Sequence, residues 1–537
     1  MKGLYLNVPA ARERATRLDA LLAAPSAIAT AEHQGHSLLV DYHPRDWPAG
    51  PIHCNPAADL TAAGSGWFHF RGRFGNLSGF AEAFAHARTL EERKALAAEI
   101  QAGAFVILVL RGTSGWLVTD PFGLHPHYYA GETPFARLAP SVHFFGDDES
   151  GTFPADESLT AALEVQNHLF GNYTAYAGIR RLDPGAITST TEVVRYFDYQ
   201  RRESPAAADT TQAANGSRPR GAGSVLGRAL LARLGEVMGL FAERRRVLPL
   251  SGGLDSRLLL ASARFDYGYT FGPAESGDRP VARRYANHFE DYDEFSLLEL
   301  DYPPRLRAAG RQVFSGTCAR PFVELLAVYR RVAERWGGGC LFFDGYGGDV
   351  LQRALYLTSG GLRGSAAKMF PQLTRARFDP LVLLNRRYPG LDRDARKLLV
   401  KTYHQMSEDW DLDPLRSVTL FELLYGRGSR YVINGGTILS GQYFTVIQPF
   451  LTPRVFRLLW SIDPWDALTY RALREIWRAL PAEFAGVRTY SGFKPSWHHD
   501  LSRPVMLATK ALGRLGWVKR AVSYERELPQ IRWREED

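Results

Sequence analysis

Cysteine, lysine and long apolar runs are all scarce in this chain, and each scarcity excludes a class of protein or a kind of site. The three cysteines, Cys54, Cys318 and Cys340, are far apart and match neither a metal-ligand spacing nor a disulfide framework. No stretch approaches the ~18 consecutive apolar residues that span a bilayer, and the apolar stretch after Met1 is too short for a secretory signal. These absences predict a reducing, cytoplasmic setting without a membrane partner.

Clustered positive charge is also lacking, although the net charge is +8. The arginines are scattered, and no basic block is interleaved with aromatic residues. A nucleic-acid partner is therefore not expected. Lysine is absent between Lys94 and Lys368, so a reaction that requires a lysine has few candidates in the chain.

Composition divides the 537 residues into two predicted domains joined by a linker. Residues 1–200 alternate between apolar and polar positions, as in GWFHFRGRFGN, GAFVILVLRG and GWLVTDPFG, which is typical of β-strands. Residues 201–223 are small, polar and proline-bearing, and they predict a flexible linker. From residue 224 to 537, helical segments alternate with short apolar runs such as YGYTFG and CLFFDG. This alternation predicts a mostly helical α/β domain with a parallel sheet.

The segment PLSGGLDSRLLLAS, Pro249 to Ser262, has the pattern of a strand, a glycine turn and a helix. Such a turn directs backbone N–H groups and the positive end of the helix dipole toward one point, which favours an anion. The lysine of a Walker A loop is missing. Asp255 would repel a phosphate unless a cation lies between them, so the loop predicts Mg²⁺ bridging carboxylate and phosphate. The alternative interpretation is a plain turn with a surface aspartate.

SGGLDS resembles the pyrophosphate-binding loop of ATP pyrophosphatases, and further segments are similar to the asparagine-synthetase-like branch of that family. The resemblance covers nearly the whole chain. It implies an N-terminal Ntn-hydrolase-like (glutamine amidotransferase-like) β-sandwich with helices and a C-terminal domain of the ATP pyrophosphatase fold. Those further segments are GRFGN, DPFGLHPHYY, GNYTAYAGIRRLDPGA, TFGPAESGDRPVARRYANHF, DGYGGDV, QPFLTPRVFRLLWSID and YRALREIWRALP…VRTYSGFKPSW.

The resemblance also implies a site for ATP and Mg²⁺. Asp255 and Asp349 are the expected metal ligands, and the alternative role for Asp349 is a helix N-cap. Val350 stands where the family has a glutamate. The residues expected to contact the nucleotide are Ser251, Gly252, Gly253, Leu254, Asp255, Ser256, Thr270, Phe271, Gly272, Gly345 and Gly347.

The N-terminal domain departs from the family at the residue that carries its chemistry. Glutamine-amidotransferase domains of this type use a cysteine directly after the initiator methionine, whereas this chain has Lys2. Lysine cannot perform thiolate chemistry, and Cys54 has no free α-amine beside it. We therefore expect an inactive glutaminase that survives as a scaffold or a peptide-docking surface.

Three residues are predicted to act on the substrate. Tyr346 stands where β-lactam synthetase, a ring-closing relative, has a tyrosine paired with a glutamate, and Glu422 is the candidate partner. A phenol oriented by a carboxylate is a plausible proton acceptor for an attacking amine. Aligning YSGF with the family's closing lysine motif puts Tyr490 at the lysine position, so either Lys494 or Arg488 is expected to take that role. The alternatives are an aromatic packing residue, a solvated glutamate and an exposed loop lysine.

These features predict an ATP-dependent ligase that adenylates a carboxylate, releases pyrophosphate and closes an amide ring with an amine of the same substrate. Among proteins of this type with an inactive glutaminase, lasso-peptide cyclases match in size and layout. The expected substrate is a peptide or small molecule with a free amine and a carboxylate. A precursor peptide, a leader-binding protein and a leader peptidase are the implied partners. The alternatives are a small-molecule β-lactam synthetase-like cyclase, an ammonia-using amidating enzyme, a tRNA-modifying enzyme and a catalytically silent binding module.

Overall fold

The computed structural model describes residues 1–24, 26–146, 153–207, 224–358, 369–370, 372, 375, 378–489, 492–514 and 524–533. Within them the chain has a two-domain α/β architecture, with antiparallel sheets in the N-terminal part and a parallel sheet in the C-terminal part. Residues 208–223 of the predicted linker lie outside this description. The strands are β1 Gly3–Leu6, β2 Ala27–His33, β3 His36–Tyr42, β4 Ile52–Asn55, β5 Leu60–Phe70, β6 Arg73–Phe74, β7 Ile100–Arg111, β8 Ser114–Thr119, β9 Tyr128–Ala130, β10 Leu138–Ala139, β11 Ile179–Arg181, β12 Ala186–Ser189, β13 Val193–Arg195, β14 Arg246–Pro249, β15 Tyr267–Phe271, β16 Asp291–Phe295, β17 Leu341–Phe343 and β18 Thr445–Ile447.

Two antiparallel sheets form the N-terminal domain. One has the strand order β11-β9-β10-β1-β3-β2, and the other has the order β13-β12-β8-β7-β5-β4 with β6 paired to β5. Alternate residues of the apolar strands face one another between the sheets, where Leu4, Val40 and Leu108 belong to one buried cluster. The alternation in residues 1–200 predicted these strands, and their two facing sheets agree with the β-sandwich that the family resemblance implied.

Helices flank the sheets and dominate the C-terminal part of the chain. The segment before β14, SVLGRALLARLGEVMG, forms the helix Val225–Gly239, as the helical period of its apolar residues predicts. The described α-helices are Ala11–Leu22, Leu77–His86, Leu90–Ala98, Glu157–Gln166, Val225–Gly239, Asp255–Ser262, Asp278–Ala282, Pro304–Val313, Leu325–Trp336, Gly348–Arg353, Pro380–Arg387, Arg393–Ser407, Pro414–Leu424, Ile438–Ser440, Pro453–Trp460, Pro464–Leu468, Arg471–Arg478, Ala482–Ala485 and His499–Arg514, and a π-helix spans Gly428–Thr437. Among the described helices, none combines the length and apolarity needed to cross a bilayer.

The parallel sheet has the order β16-β15-β14-β17-β18. Its first strand in the chain, β14, therefore lies in the middle, and the chain runs outward in one direction through β15 and β16 and in the other through β17 and β18. The order reverses between β14 and β17, which makes that position the topological switch point of the sheet. The SGGLDS loop follows β14 and the DGYGGD loop follows β17, so the two motifs meet at this point.

Buried hydrogen bonds join the N-terminal domain to β18, at the edge of the parallel sheet. Trp67 Nε1 donates to the Val446 carbonyl at 2.8 Å. Thr445 Oγ1 donates to the Asp46 carboxylate at 2.6 Å. Because these groups are buried, replacing one partner with an apolar residue would leave the other unpaired, at a cost of about 1–3 kcal/mol.

Candidate functional site

The first loop links β14 to the helix Asp255–Ser262, and its own serines satisfy part of its backbone. The Ser251 N–H donates to Ser256 Oγ at 3.3 Å, and the Gly253 N–H donates to Ser251 Oγ at 3.1 Å. The loop therefore has the strand, turn and helix predicted from the sequence. Its serine hydroxyls stabilise the turn as well as facing the crevice.

The carboxylate of Asp278 accepts a hydrogen bond from one of the backbone amides that are expected to bind phosphate. The Gly252 N–H donates to Asp278 Oδ1 at 2.7 Å. Asp278 comes from the loop after β15 and begins the helix Asp278–Ala282. An acidic side chain thus stands where an anionic ligand is expected, and a phosphate that binds this amide has to displace it.

The two motif loops touch through glycines. A Cβ atom on Gly345 would lie 3.1 Å from the Cβ of Asp255, and one on Gly348 would lie 2.5 Å from Asp255 Oδ1. Gly347 has a φ of 91°, in the left-handed region that favours glycine. The glycines of DGYGGD therefore allow the second loop to pack directly against the acidic residue of the first.

Three carboxylates, those of Asp255, Asp344 and Asp349, share this crevice. Burial raises the pKa of Asp255 to about 6, against the opposing effect of Arg353 and with a further contribution from the charge of Asp349. Burial raises the pKa of Asp344 to about 6 as well, although hydrogen bonds from the Tyr346 N–H and Thr437 oppose it, and the charge of Asp349 adds to the increase. The crevice therefore holds more negative charge than its surroundings compensate.

The donor atoms fit a hard divalent cation. Asp255 Oδ2 accepts a hydrogen bond from Arg353 Nη2 at 2.7 Å, whereas Asp255 Oδ1 is buried without a hydrogen-bond partner among the described residues. Mg²⁺ prefers carboxylate oxygens and is usually bound by one or two of them, together with waters and substrate phosphates. Asp255 and Asp349 can supply that number. In the described part of the chain, three metal-ligating side chains converge only at His498, His499 and Asp500, away from these loops.

Thr270, Phe271 and Gly272, the residues expected to contact the nucleoside, end β15 beside the first loop. Thr270 Oγ1 accepts a hydrogen bond from Tyr292 at 2.8 Å and donates to the Leu250 carbonyl. The Phe271 ring lies 5.1 Å from the ring of Tyr524. The C-terminal segment at Tyr524 therefore forms one wall of this end of the crevice, which the sequence did not indicate.

Tyr346 and Glu422 lie in one buried cluster but do not contact each other as the predicted pair. The phenol of Tyr346 shares a 3.3 Å hydrogen bond with that of Tyr356. Burial, followed by Tyr356, raises the pKa of Tyr346 well above its ordinary value, so this phenol stays neutral near pH 7. The negative charge of Glu422 reaches Tyr356, whose pKa it helps to raise after burial.

Glu422 itself is fully buried, contrary to the solvated alternative. Glu422 Oε2 accepts the Arg427 N–H at 2.8 Å and the Tyr388 hydroxyl at 3.4 Å. Its other oxygen is 3.9 Å from Arg387 Nε. In this structure Glu422 therefore orders the start of the π-helix Gly428–Thr437 and its neighbours, rather than orienting Tyr346.

The segment proposed to carry the closing lysine is tied to the first loop's helix, but Lys494 is not. Arg257 Nη1 donates to the Val487 carbonyl at 3.2 Å. Among the described residues, Lys494 Nζ makes no hydrogen bond or ion pair, and the Arg488 guanidinium lies 5.3 Å from the Trp497 ring centroid. Tyr490, at the family's lysine position, lies outside the described residues.

In the N-terminal domain, Lys2 is engaged in a buried ion-pair cluster. Its Nζ lies 2.8 Å from Asp41 Oδ1 and 3.3 Å from Asp19 Oδ1. The amino group of Met1 lies 3.0 Å from Asp41 Oδ2. Burial opposes ionisation of Asp41, but these two ammonium groups outweigh it and lower its pKa. Lys2 thus compensates buried carboxylates.

Sequence reasoning missed three residues of the crevice. Asp278 lies in the segment TFGPAESGDRPVARRYANHF, and nothing in that sequence indicates that its side chain contacts Gly252. Arg353 follows Asp349 by four residues on one helix, and this spacing was the available clue. Asp344 opens the second motif, but only its burial makes its carboxyl unusual.

Two solved structures align with part of this chain at low sequence identity. No protein-family model and no curated protein sequence matches the chain. A solved structure titled as the allosteric regulatory enzyme of purine biosynthesis aligns at 12% identity over 54% of this chain and 64% of that chain, with a TM-score of 0.23. Glutamine phosphoribosylpyrophosphate amidotransferase from B. subtilis, complexed with ADP and GMP, aligns at 13% identity over 65% of this chain and 61% of that chain, with a TM-score of 0.18. The chain spans less than two thirds of either protein, and such scores support no inference about fold or function.

Proposed function

We propose that this chain is an ATP-dependent amide-forming ligase of the asparagine-synthetase-like type, with an ATP pyrophosphatase fold in its C-terminal domain. The observation that carries the proposal is the contact between the two acidic loops at the switch point, where Asp255 Oδ1 is buried and the described residues offer it no hydrogen-bond partner. A site built this way favours a cation bridging to a polyphosphate.

The reaction forms two bonds in sequence. A substrate carboxylate oxygen attacks the α-phosphorus of ATP and pyrophosphate leaves. An amine nitrogen then attacks the acyl carbon, and AMP leaves as the amide forms. Asp255 and Asp349 would hold Mg²⁺, which when bound offsets the charge of the triphosphate. Displacement of Asp278 frees the Gly252 N–H for a phosphate oxygen.

The attacking amine has to lose a proton, and Asp344 suits that role better than Tyr346. An α-ammonium group has a pKa near ~8. Asp344 lies in the same crevice as Asp255 and Asp349, and burial raises its pKa to about 6, so this carboxylate is the proposed proton acceptor. The buried phenol of Tyr346 is neutral, and it is better placed to orient groups beside the loop.

The proposed product is a macrolactam, formed when the amine and carboxylate belong to one peptide, as in lasso-peptide cyclases. Holding both ends in one site makes the attack intramolecular, which is worth up to ~7–11 kcal/mol of the barrier. Lys2 supports this proposal because its ammonium group is held by Asp19 and Asp41 at the position where the family has its glutaminase cysteine. The implied partners are a precursor peptide, a leader-binding protein and a leader peptidase. A β-lactam synthetase-like cyclase and an ammonia-using amidating enzyme are the second candidates.

The test is product analysis with ATP, Mg²⁺ and a candidate precursor core peptide. We expect a peptide lighter by one water, together with AMP and pyrophosphate in equal amounts. Asp255→Asn and Asp349→Asn should lower the rate by at least ~100-fold, as expected for loss of transition-state charge stabilisation. Asp394→Asn, which alters an exposed helix residue, is the matched control. Formation of ADP instead of AMP would contradict the proposal.

A further inference from the structure

A groove between the N-terminal and C-terminal domains lies outside the acidic crevice and is not used by the proposed reaction. It separates the last strand of the seven-stranded sheet, β13, from the C-terminal end of the helix Arg393–Ser407. Its volume is about 500 Å³, and its walls include Val193, Phe197, Met406 and Trp410. This volume is large enough for a short chain segment.

The edge of β13 presents unused backbone groups to this groove. On its inner side β13 pairs with β12, and beyond its end the Tyr196 N–H donates to the Gly185 carbonyl at 3.0 Å. Hydrogen-bonded pairs alternate along an antiparallel ladder. The backbone N–H and C=O groups of Val194 therefore point toward β12, whereas those of Val193 and Arg195 point outward. No strand in the described ranges pairs with this side. An extended peptide can add to such an edge.

One lining residue of the groove carries a buried donor that has no acceptor in the described part of the chain. Trp410 is only 8% exposed and lines the groove, and its Nε1–H has no partner among the described residues. The Arg195 guanidinium lies 5.6 Å from the Trp410 ring centroid and holds the indole against the strand. A buried N–H group is costly when it is unpaired. Because this atom is itself buried, a backbone carbonyl of a bound chain reaches it only if the indole turns toward the groove.

The charge of the groove favours a basic ligand. Three carboxylates line it, Asp183, Asp198 and Asp409, against the single guanidinium of Arg195. That guanidinium is already shared, since it donates to the Tyr425 hydroxyl at 3.1 Å and lies 3.9 Å from Asp409. Asp409 is 84% exposed at the mouth of the groove, where a ligand side chain can reach it.

We propose that this groove binds an extended peptide segment that carries a lysine or arginine and adds as a strand to Val193–Arg195. The identity of the segment, a part of the peptide substrate outside the ring, rests on the proposed function. The helix Pro414–Leu424 connects the groove to the site. Tyr425, next to its end, donates to Asp183 at 2.8 Å, whereas Glu422, one turn earlier, lies in the Tyr346 cluster.

The test measures fluorescence anisotropy of synthetic peptides on the full-length protein without ATP. The probe is a fluorescein-labelled heptapeptide of alternating threonine and valine with a central lysine. One comparison peptide has glutamate at the centre, and another has N-methylated backbone amides that cannot pair with a strand. We expect the lysine peptide to bind at least fivefold more tightly than either comparison peptide.

Variants of the edge and the charge separate the two contributions. Val193→Pro removes an outward N–H that β12 does not use, so the sheet is kept while binding should fall about fivefold. Val193→Thr keeps the N–H and should bind normally. Asp409→Asn should weaken the lysine peptide about two- to fivefold, whereas Asp411→Asn, an exposed aspartate two residues away, should not.

Equal binding of the three peptides, or unchanged binding to both Val193→Pro and Asp409→Asn, would overturn the groove proposal. Circular dichroism shows whether Val193→Pro is folded. If it is not, the N-methylated peptide still tests strand pairing, and the Asp409→Asn and Asp411→Asn variants still test the role of charge. Because these measurements contain no ATP, their result is independent of whether ATP is converted to AMP. A failed ligase assay would leave the groove result intact, and the reverse also holds.

Discussion

The charged cluster around Lys2 is buried, whereas the acids of the crevice around Asp255 are half-buried, and the charges of the two regions are compensated differently. In the Lys2 cluster, two ammonium groups face Asp19 and Asp41, and the pKa of Asp41 is lowered despite burial. In the crevice, Asp255 and Asp344 have raised pKa values because burial and Asp349 outweigh the contacts that favour their ionised forms. In the first arrangement the ammonium groups lower the pKa of Asp41, although burial still raises that of Asp19. In the second, the described residues supply only the guanidinium of Arg353 to Asp255.

The largest expected effect follows from breaking the Lys2 cluster. Lys2→Met removes one of the ammonium groups and leaves buried carboxylates under-compensated, which should lower the free energy of unfolding by about 3–5 kcal/mol. Urea denaturation at pH 7 measures this. Lys397→Met is the control, because Lys397 is exposed in a helix-surface pair with Asp394 and should cost less than about 1 kcal/mol. Equal effects of the two substitutions would show that Lys2 has no special compensating role.

Adding Mg²⁺ and ATP should stabilise the crevice in a pH-dependent way. At pH 7.5 we expect the melting temperature to rise by about 2–5 °C. Since Asp255 has a pKa of about 6 and a metal ligand has to be deprotonated, the rise should shrink as the pH falls through 6. Thermal unfolding at pH 7.5 and pH 5 measures both values. Asp349→Asn should abolish the shift and Asp394→Asn should keep it; a shift that is the same at both pH values would contradict the assignment of Asp255.

Neutralising one acid of the crevice should stabilise the protein without ligands, the opposite of the result for Lys2→Met. Burial raises the pKa of Asp344 in the folded state, so ionising this carboxyl destabilises the protein. The free energy of unfolding therefore falls as the pH rises from about 4 through 6. Asp344→Asn should therefore raise the free energy of unfolding by about 1–2 kcal/mol at pH 7, with no gain at pH 4. Urea titrations at the two pH values test the sign. Destabilisation at pH 7 would mean that the carboxylate is already compensated.

The smallest effect concerns the competition between Asp278 and phosphate. Asp278→Ala frees the Gly252 N–H and removes a negative charge, so the dissociation constant for ATP should fall about fivefold. Isothermal titration calorimetry measures it. Glu275→Gln, an exposed acid three residues earlier, is the control and should change little. Weaker ATP binding by Asp278→Ala would show that Asp278 supports the loop instead of competing for it.

Local pattern predicted the strands that have an unambiguous period or a continuous apolar run. β7 and β8 follow from alternation, and β14, β15 and β17 from short apolar segments before glycines. β16 was missed because its sequence, DYDEF, is acidic. Two of the arginines that compensate it, Arg331 and Arg335, belong to the helix Leu325–Trp336, although Arg283 lies just before the strand. β18 was missed because three residues are too few to show a period.

The amino-acid order by itself determined the two loops, their acids and glycines, and the lysine at position 2, because these depend on residue type and spacing along the chain. Only the tertiary structure decided which groups are buried together. It paired Lys2 with Asp19 and Asp41, brought Asp278 to Gly252 and separated Tyr346 from Glu422. It also left Asp255 Oδ1 without a hydrogen-bond partner among the residues that the structure describes. The physical reason is that desolvation and charge compensation depend on distances between segments far apart in sequence, which no local pattern specifies.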